Sequence, residues 1–389
     1  MKNIKTLNRQ AGLTILELLV AMTLGVVVLG AAVSMQVSYQ KGFQATDNKL
    51  NMQTNARFAF EFISNSLREA GSAGCLTANG YVARTKAMQK FLGTDMSIYR
   101  ESPNYQIAFV DPTSDVADFR FQQELIGFND GSTEIAPTAL VPASNAGSDV
   151  LLVKGAIGAS YIFKSSTVYD SNHLSLQLDT NRYPLIDLKT NQYAVMSQCS
   201  GAEIFKITST SAEIAAGKIL RAAATTPVDS NLNGTFATDG RGLSFSEGGE
   251  SAELRRMATV AYYISNNPSG VPTLFRSVDG VPSALVEGVE RMQILYGLDT
   301  DNDKVPDTYQ DAAAAKALSA NNDLADAVAV RLSFIVRSQQ QVYENAVSQT
   351  LTIPGESNYV VTDRFSRQVF TSTVTLRNRY TGDRVGTRI

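Results

Sequence analysis

From Leu13 to Met35 the chain reads LTILELLVAMTLGVVVLGAAVSM, a run of 23 residues that is apolar on every side and carries one charge, Glu17. At 1.5 Å per residue a helix of that length covers about 34 Å, enough to cross a hydrocarbon core ~30 Å thick. Beyond Met35 the pattern becomes one-sided. Ala56, Ala59 or Phe60, Ile63 and Leu67 recur at helical spacing, with Arg57, Glu61, Ser64 and Arg68 between them. No proline interrupts residues 13–70, and Gly71 with Gly74 supplies a stop. The pattern predicts one helix from near Leu13 to near Ala70, with a membrane part at 13–35 and an amphipathic part at 36–70.

After Cys75 the helical period gives way to alternation and short apolar runs. Strands are expected at 105–110, 149–155, 174–178, 193–199, 203–208, 257–265, 285–298, 327–337 and 368–379. In AVAVRLSFIVR and QVFTSTVTLRN alternate residues are apolar, as in antiparallel strands with one face on a core. Stretches rich in Gly, Asn, Ser, Asp and Pro at 142–148, 225–251, 266–273 and 299–309 read as connections. DAAAAKALSA at 311–320 predicts a short helix by composition. The expected fold class is α+β: a long N-terminal helix packed on a large, antiparallel, β-rich head spanning 71–389.

Composition narrows the chemistry. The 389 residues are 44% apolar, and Lys+Arg 34 against Asp+Glu 37 leaves a net charge of −3. No global basic field exists to attract nucleic acid, so direct nucleic-acid binding is not expected. The local pairs Arg255 and Arg256, and the C-terminal Arg377, Arg379, Arg384 and Arg388, read as solvated strand faces. His173 is the single histidine, which leaves no material for a histidine-based triad or a multi-histidine metal site. With no nucleophile elbow, phosphate loop or dinucleotide fingerprint either, the chain does not read as an enzyme, and no cofactor is required. One candidate metal site remains. Asp299, Asp301, Asp303 and Asp307 form D-T-D-N-D-K-V-P-D, hard oxygen ligands whose spacing suits Ca²⁺ when the loop curls. It resembles the calcium loops of thrombospondin type 3 repeats and is not an EF-hand, and Lys304 stands where such loops usually have glycine. The alternative is a solvated acidic turn. The two cysteines, Cys75 and Cys199, form a disulfide or remain two buried thiols.

Residues 1–12, MKNIKTLNRQAG, hold Lys2, Lys5 and Arg9 and no acid, so they stay cytoplasmic by the positive-inside rule. A secretory signal would place its cleavage site after the apolar run; here the break lies before it, at Gly12. Gly12, Leu13 and Glu17 at these offsets resemble the prepilin leader of type IV pilins and type II secretion pseudopilins. The resemblance implies that a prepilin peptidase cuts between Gly12 and Leu13 and methylates the new N-terminus. Leu13 stands where phenylalanine is usual. A carboxylate inside hydrocarbon costs roughly 2.5–3.5 kcal/mol, and the resemblance implies that Glu17 offsets this by pairing with the N-terminal amine of a neighbouring subunit.

Further blocks narrow the family. NARFAFEFISNSLREAGSAGC, SDVLLVKGA, VMSQCSGAEIFKI, PTLFR, VEGVERMQILYGLDTDNDKVPDTY and AVAVRLSFIVRS together resemble the PilW family of minor type IV pilins. That resemblance implies a minor pilin that primes pilus assembly with other minor pilins, joins the major pilin at or near the tip, and supports twitching motility, adhesion or DNA uptake. It also implies an inner-membrane subunit with a periplasmic head before assembly, an assembly platform as partner, a place on the pilus surface afterwards, and a Cys75–Cys199 bridge. The alternatives are a minor pseudopilin of type II secretion and a membrane-tethered periplasmic binding module.

Overall fold

The computed structural model describes residues 14–73, 76, 77, 98, 99, 124–130, 136, 138–163, 175–180, 187–198, 201–220, 253–301, 303–319, 324 and 326–376. The predicted helix is one unbroken element, α1 (Ile15–Glu69), 55 residues long. It ends where the sequence places the stop: Ala70 is the cap, and Gly71 takes a φ of 71°. The Gly71 N–H donates to the Lys154 carbonyl at 2.9 Å, which stitches the helix end to the head.

The head begins with the two-residue strands β1 (Ser72–Ala73), β2 (Leu76–Thr77) and β3 (Ile98–Tyr99), then β4 (Leu125–Phe128) and the long β5 (Val150–Ile162). Next come β6 (Ser175–Gln177), β7 (Tyr193–Gln198), β8 (Gly201–Lys206), a short helix α2 (Ser211–Ala215) and β9 (Lys218–Leu220). The second half holds β10 (Glu253–Asn266), β11 (Pro272–Val278), β12 (Val281–Glu287), β13 (Val289–Leu298) and β14 (Thr308–Gln310). It closes with α3 (Ala312–Leu318), β15 (Ala327–Arg337), β16 (Val347–Leu351), β17 (Tyr359–Asp363) and β18 (Arg367–Thr375).

Two sheets carry the architecture. The larger is built on β10. One edge of β10 pairs with β5, which pairs with β4; the other edge is shared, residues 253–257 pairing with β7 and 260–266 with β11. The sheet therefore forks, into β7–β8–β3 on one branch and β11–β12 on the other. Asp279 sits at the fork. Its side chain accepts from the Thr259 N–H at 3.0 Å and from Arg256 at 2.6 Å, while its own N–H donates to the Thr259 carbonyl at 3.0 Å. Burial raises the Asp279 pKa from its ordinary value, and the Arg256 guanidinium and the Thr259 N–H oppose that rise. The second sheet has the order β14–β13–β15–β18, antiparallel throughout.

The C-terminal half of α1 lies over both sheets. Met52, Ala56, Ala59, Ile63 and Leu67 share one core with Tyr262, Ile264 and Leu274 of the first sheet and Met292, Leu332 and Phe334 of the second. The Phe60 and Phe334 rings meet at 4.7 Å. Gly155 in β5 permits the helix to come this close, since a Cβ there would lie 2.6 Å from the Glu69 carbonyl oxygen. Two smaller cores flank this one: Tyr161, Met196, Phe205 and Leu254 with α2 beside β7 and β8, and Ile126, Phe128, Leu152 and Tyr263 under residues 138–141.

Several expected boundaries move. The apolar run 285–298 is two strands, because Gly288 at φ 83° turns the chain between β12 and β13. The connection expected at 266–273 ends at Val271, since β11 begins at Pro272 and pairs along β10. The strands β16 and β17 carry no expectation, and their exposure on both faces explains why alternation does not reveal them. The short helix is present as α3, capped by the Asp311 side chain on the Ala314 N–H at 2.8 Å. The strand expected at 105–110 and the connection at 225–251 lie outside the described residues, as do Gly12, Leu13, Cys75, His173, Cys199 and the four C-terminal arginines.

Candidate functional site

Thr14, with extended backbone at φ −76° and ψ 150°, is the N-cap of α1, and Glu17 is its third helical residue. The Glu17 N–H donates to Thr14 Oγ1 at 3.3 Å; in return Glu17 Oε2 accepts from the Thr14 N–H at 3.0 Å and from its hydroxyl at 3.1 Å. This reciprocal capping box satisfies two N–H groups that the first turn leaves without helical partners. It also puts the carboxylate at the positive end of the helix dipole. Glu17 is therefore held at the helix entrance, where a cut before Leu13 would create an ammonium one residue before the cap.

Past this cap α1 is apolar all round, and none of its most apolar stretch is buried by the described residues. Ile15 is 80% exposed and Val26 69%. The few polar side chains bond back onto the helix: Thr23 to the Val20 carbonyl at 2.9 Å, Ser34 to Gly30 at 2.9 Å and Ser38 to Ser34 at 3.0 Å. Such a surface suits hydrocarbon, which offers no hydrogen-bond partners, or the side of another helix.

Toward the head the helix acquires fixed contacts. Lys41 pairs with Glu344 at 2.5 Å on the surface. Asn55 Nδ2 donates to the Glu287 carbonyl at 2.9 Å. The Tyr262 hydroxyl donates to the Phe62 carbonyl at 3.2 Å and meets the Ser66 hydroxyl at 2.7 Å, so a buried phenol clamps the last turns. Phe58 and Phe62 point away from this contact face, 50% and 42% exposed.

The acidic loop lies at the far end of β13. Carboxylate oxygens of Asp299, Asp301 and Asp307 lie within 4.8 Å of one another. Asp303 is not in that group, since its side chain accepts from the Val305 N–H at 2.7 Å. Asp299 is buried and accepts from the Lys304 N–H at 2.9 Å and the Asp303 N–H at 3.2 Å. Lys304 takes a φ of 70°, so the turn adopts the left-handed conformation for which related loops use glycine. Asp307 accepts from the Thr300 hydroxyl at 2.6 Å and its N–H at 2.7 Å, and these bonds lower its pKa.

Arg255 and Arg256 do not lie on the solvated strand face that the sequence suggests, because both are drawn into contacts within the head. Arg256 is tied to Asp279, and Arg255 reaches the Gly158 carbonyl at 3.3 Å. Sequence reasoning missed Thr14, although Thr-x-x-Glu ahead of an apolar run is a capping-box signature. It also missed Arg367, whose buried guanidinium binds Glu290 and Asp363, both at 2.5 Å, and so ties β17 and β18 to β13. No local pattern announces that meeting.

Two family comparisons bear on the whole. Residues 7–33 match the prokaryotic N-terminal methylation motif, and residues 261–378 match the family described as Type IV Pilus-assembly protein W. The first covers the second half of the leader, with Arg9 and Gly12, and runs along α1 to Val33; the second begins within β10 at Ala261 and runs past the end of β18. No curated protein and no solved structure matches the chain. A capped apolar helix carrying the methylation motif is thus joined to a head whose second half is similar to the family of type IV pilus-assembly protein W.

Proposed function

We propose that the chain is stored in the inner membrane with its head in the periplasm, is cut between Gly12 and Leu13, and then enters a type IV pilus near its tip. The observation that carries this reading is the coincidence of the methylation motif with a helix whose apolar part is left unburied by the described residues. In this role the chain primes assembly together with other minor pilins and the major pilin, through the inner-membrane platform, and so supports twitching motility, adhesion or DNA uptake. Glu17 gives register. Its carboxylate, held by Thr14, receives the N-terminal ammonium of the neighbouring subunit, which compensates the charge in hydrocarbon. A disulfide between Cys75 and Cys199 closes the start of the head, and no catalytic step is required of the protein.

Deleting the gene should abolish surface pili and twitching, and Glu17→Val should restore processing but not filament incorporation. Retained pili with secreted enzymes trapped in the periplasm would favour a type II secretion pseudopilin. Full function after replacing residues 13–35 by an unrelated anchor would favour a tethered binding module.

The acidic loop supports a Ca²⁺ ion held by Asp299, Asp301 and Asp307. Three carboxylates converge there, and hard oxygen donors are what this cation takes. The ion would neutralise their mutual repulsion and fix the connection between β13 and β14. Added Ca²⁺ should raise the thermal midpoint and chelator should lower it; no change in either direction removes the site.

A further inference from the structure

Residues 145–149 form the hydrogen-bonded joint between the two sheets. At one end, the Asn145 N–H donates to the Ile264 carbonyl of β10 at 2.7 Å, and its side chain donates to Asn266 at 3.0 Å. At the other end the segment runs along β13. The Asp149 N–H donates to the Met292 carbonyl at 2.9 Å, the Met292 N–H to the Ser148 hydroxyl at 3.1 Å, and Gln293 Nε2 to the Gly147 carbonyl at 3.1 Å. The chain then enters β5 of the first sheet.

The Asp149 carboxylate is the centre of this joint. One oxygen accepts from the Ile294 N–H of β13 at 2.8 Å, and the other from the Asp130 N–H at the exit of β4, at 3.0 Å. Asp149 is 4% exposed. The charged groups around it are Asp130 on the β4 exit, Glu356 between β16 and β17, and Arg291 on β13. Arg291 is paired with Glu356, stacks on the Tyr359 ring at 4.3 Å and lies across Gly147. On α3, Lys316 stands over the Phe128 ring at 5.0 Å. Two N–H groups favour the ionised form of Asp149, whereas burial and two neighbouring acids oppose it.

We infer that Asp149 makes this inter-sheet joint a pH-sensitive element, because a single buried carboxyl group holds β13 and the exit of β4 together. Burial is the largest influence and pushes its pKa up to about 7 from an ordinary 3.8. The sign follows from linkage. Between those two values the folded chain holds a proton that the unfolded chain has lost. The stability this adds is complete below the unfolded value, declines as pH rises through the interval, and is gone above about 7. The device does not depend on the pilus reading, because it resides wholly in the head.

The test is thermal unfolding of the full chain in detergent micelles from pH 4.5 to 8.5, for the native protein and Asp149→Asn. The native midpoint, relative to that of the variant, should fall by several degrees up to neutrality and then level. Parallel profiles would overturn the inference. If the variant does not fold, the carboxyl ¹³C shift of Asp149 in the native protein decides: a titration midpoint near neutrality supports the joint, and one at an ordinary carboxylate pKa overturns it.

Discussion

At the scale of single residues, the chemistry rests on side chains that are charged and held. Glu17 is legible in sequence as a lone charge in an apolar run, and Thr14 is equally legible once Glu17 is read as the third residue of a helix. The pair predicts a graded outcome. Thr14→Val removes the hydroxyl that both receives the Glu17 N–H and donates to its carboxylate. It should cost the cap about 1 kcal/mol and lower the share of the protein recovered in pili relative to membranes, while Thr14→Ser should restore it. Equal recovery for Val and Ser would deny Thr14 a positioning role. Arg367 lies at the opposite limit of legibility, because its partners Glu290 and Asp363 come from two other strands. Its hydrogen bonds lower the Asp363 pKa. Replacing Arg367 with Met leaves Glu290 poorly solvated and without its cation, and should destabilise the head by about 3 kcal/mol, measurable by denaturant unfolding.

At the scale of elements, α1 was the most readable part because its signals agree: length, period, absence of proline and a glycine stop. Its buried stripe predicts that Ile63→Ala, at a fully buried position shared by both sheets, costs roughly 3 kcal/mol. Phe58→Ala, on the exposed face, should leave head stability nearly unchanged in the same assay. Strands buried on at least one face, such as β10 and β15, were readable for the same reason. The hairpin of β16 and β17 was not, because its residues are half-buried or exposed along both strands. The division at Gly288 was hidden by the apolar residues on either side, which prolong one hydrophobic run through a turn.

At the scale of the whole molecule, the sequence supports a helix and a β-rich head but not how the head is assembled. The fork on β10 depends on residues 193–197 and 272–278 sharing one strand edge, and the joint at Asp149 on residues 130 and 294 meeting one carboxylate. Periodicity reports neither, since both are meetings of distant segments. The likeness to a prepilin leader needs no tertiary meeting, because the basic residues, Gly12, Leu13 and Glu17 lie within 17 consecutive residues. The central claim is that this leader is removed and the helix transferred from membrane to filament. Intact-mass measurement on the protein from sheared pili tests it most directly. The account predicts a chain beginning at Leu13 with one added methyl group in the pilus fraction; a chain that begins at Met1 and stays with the membranes would contradict it.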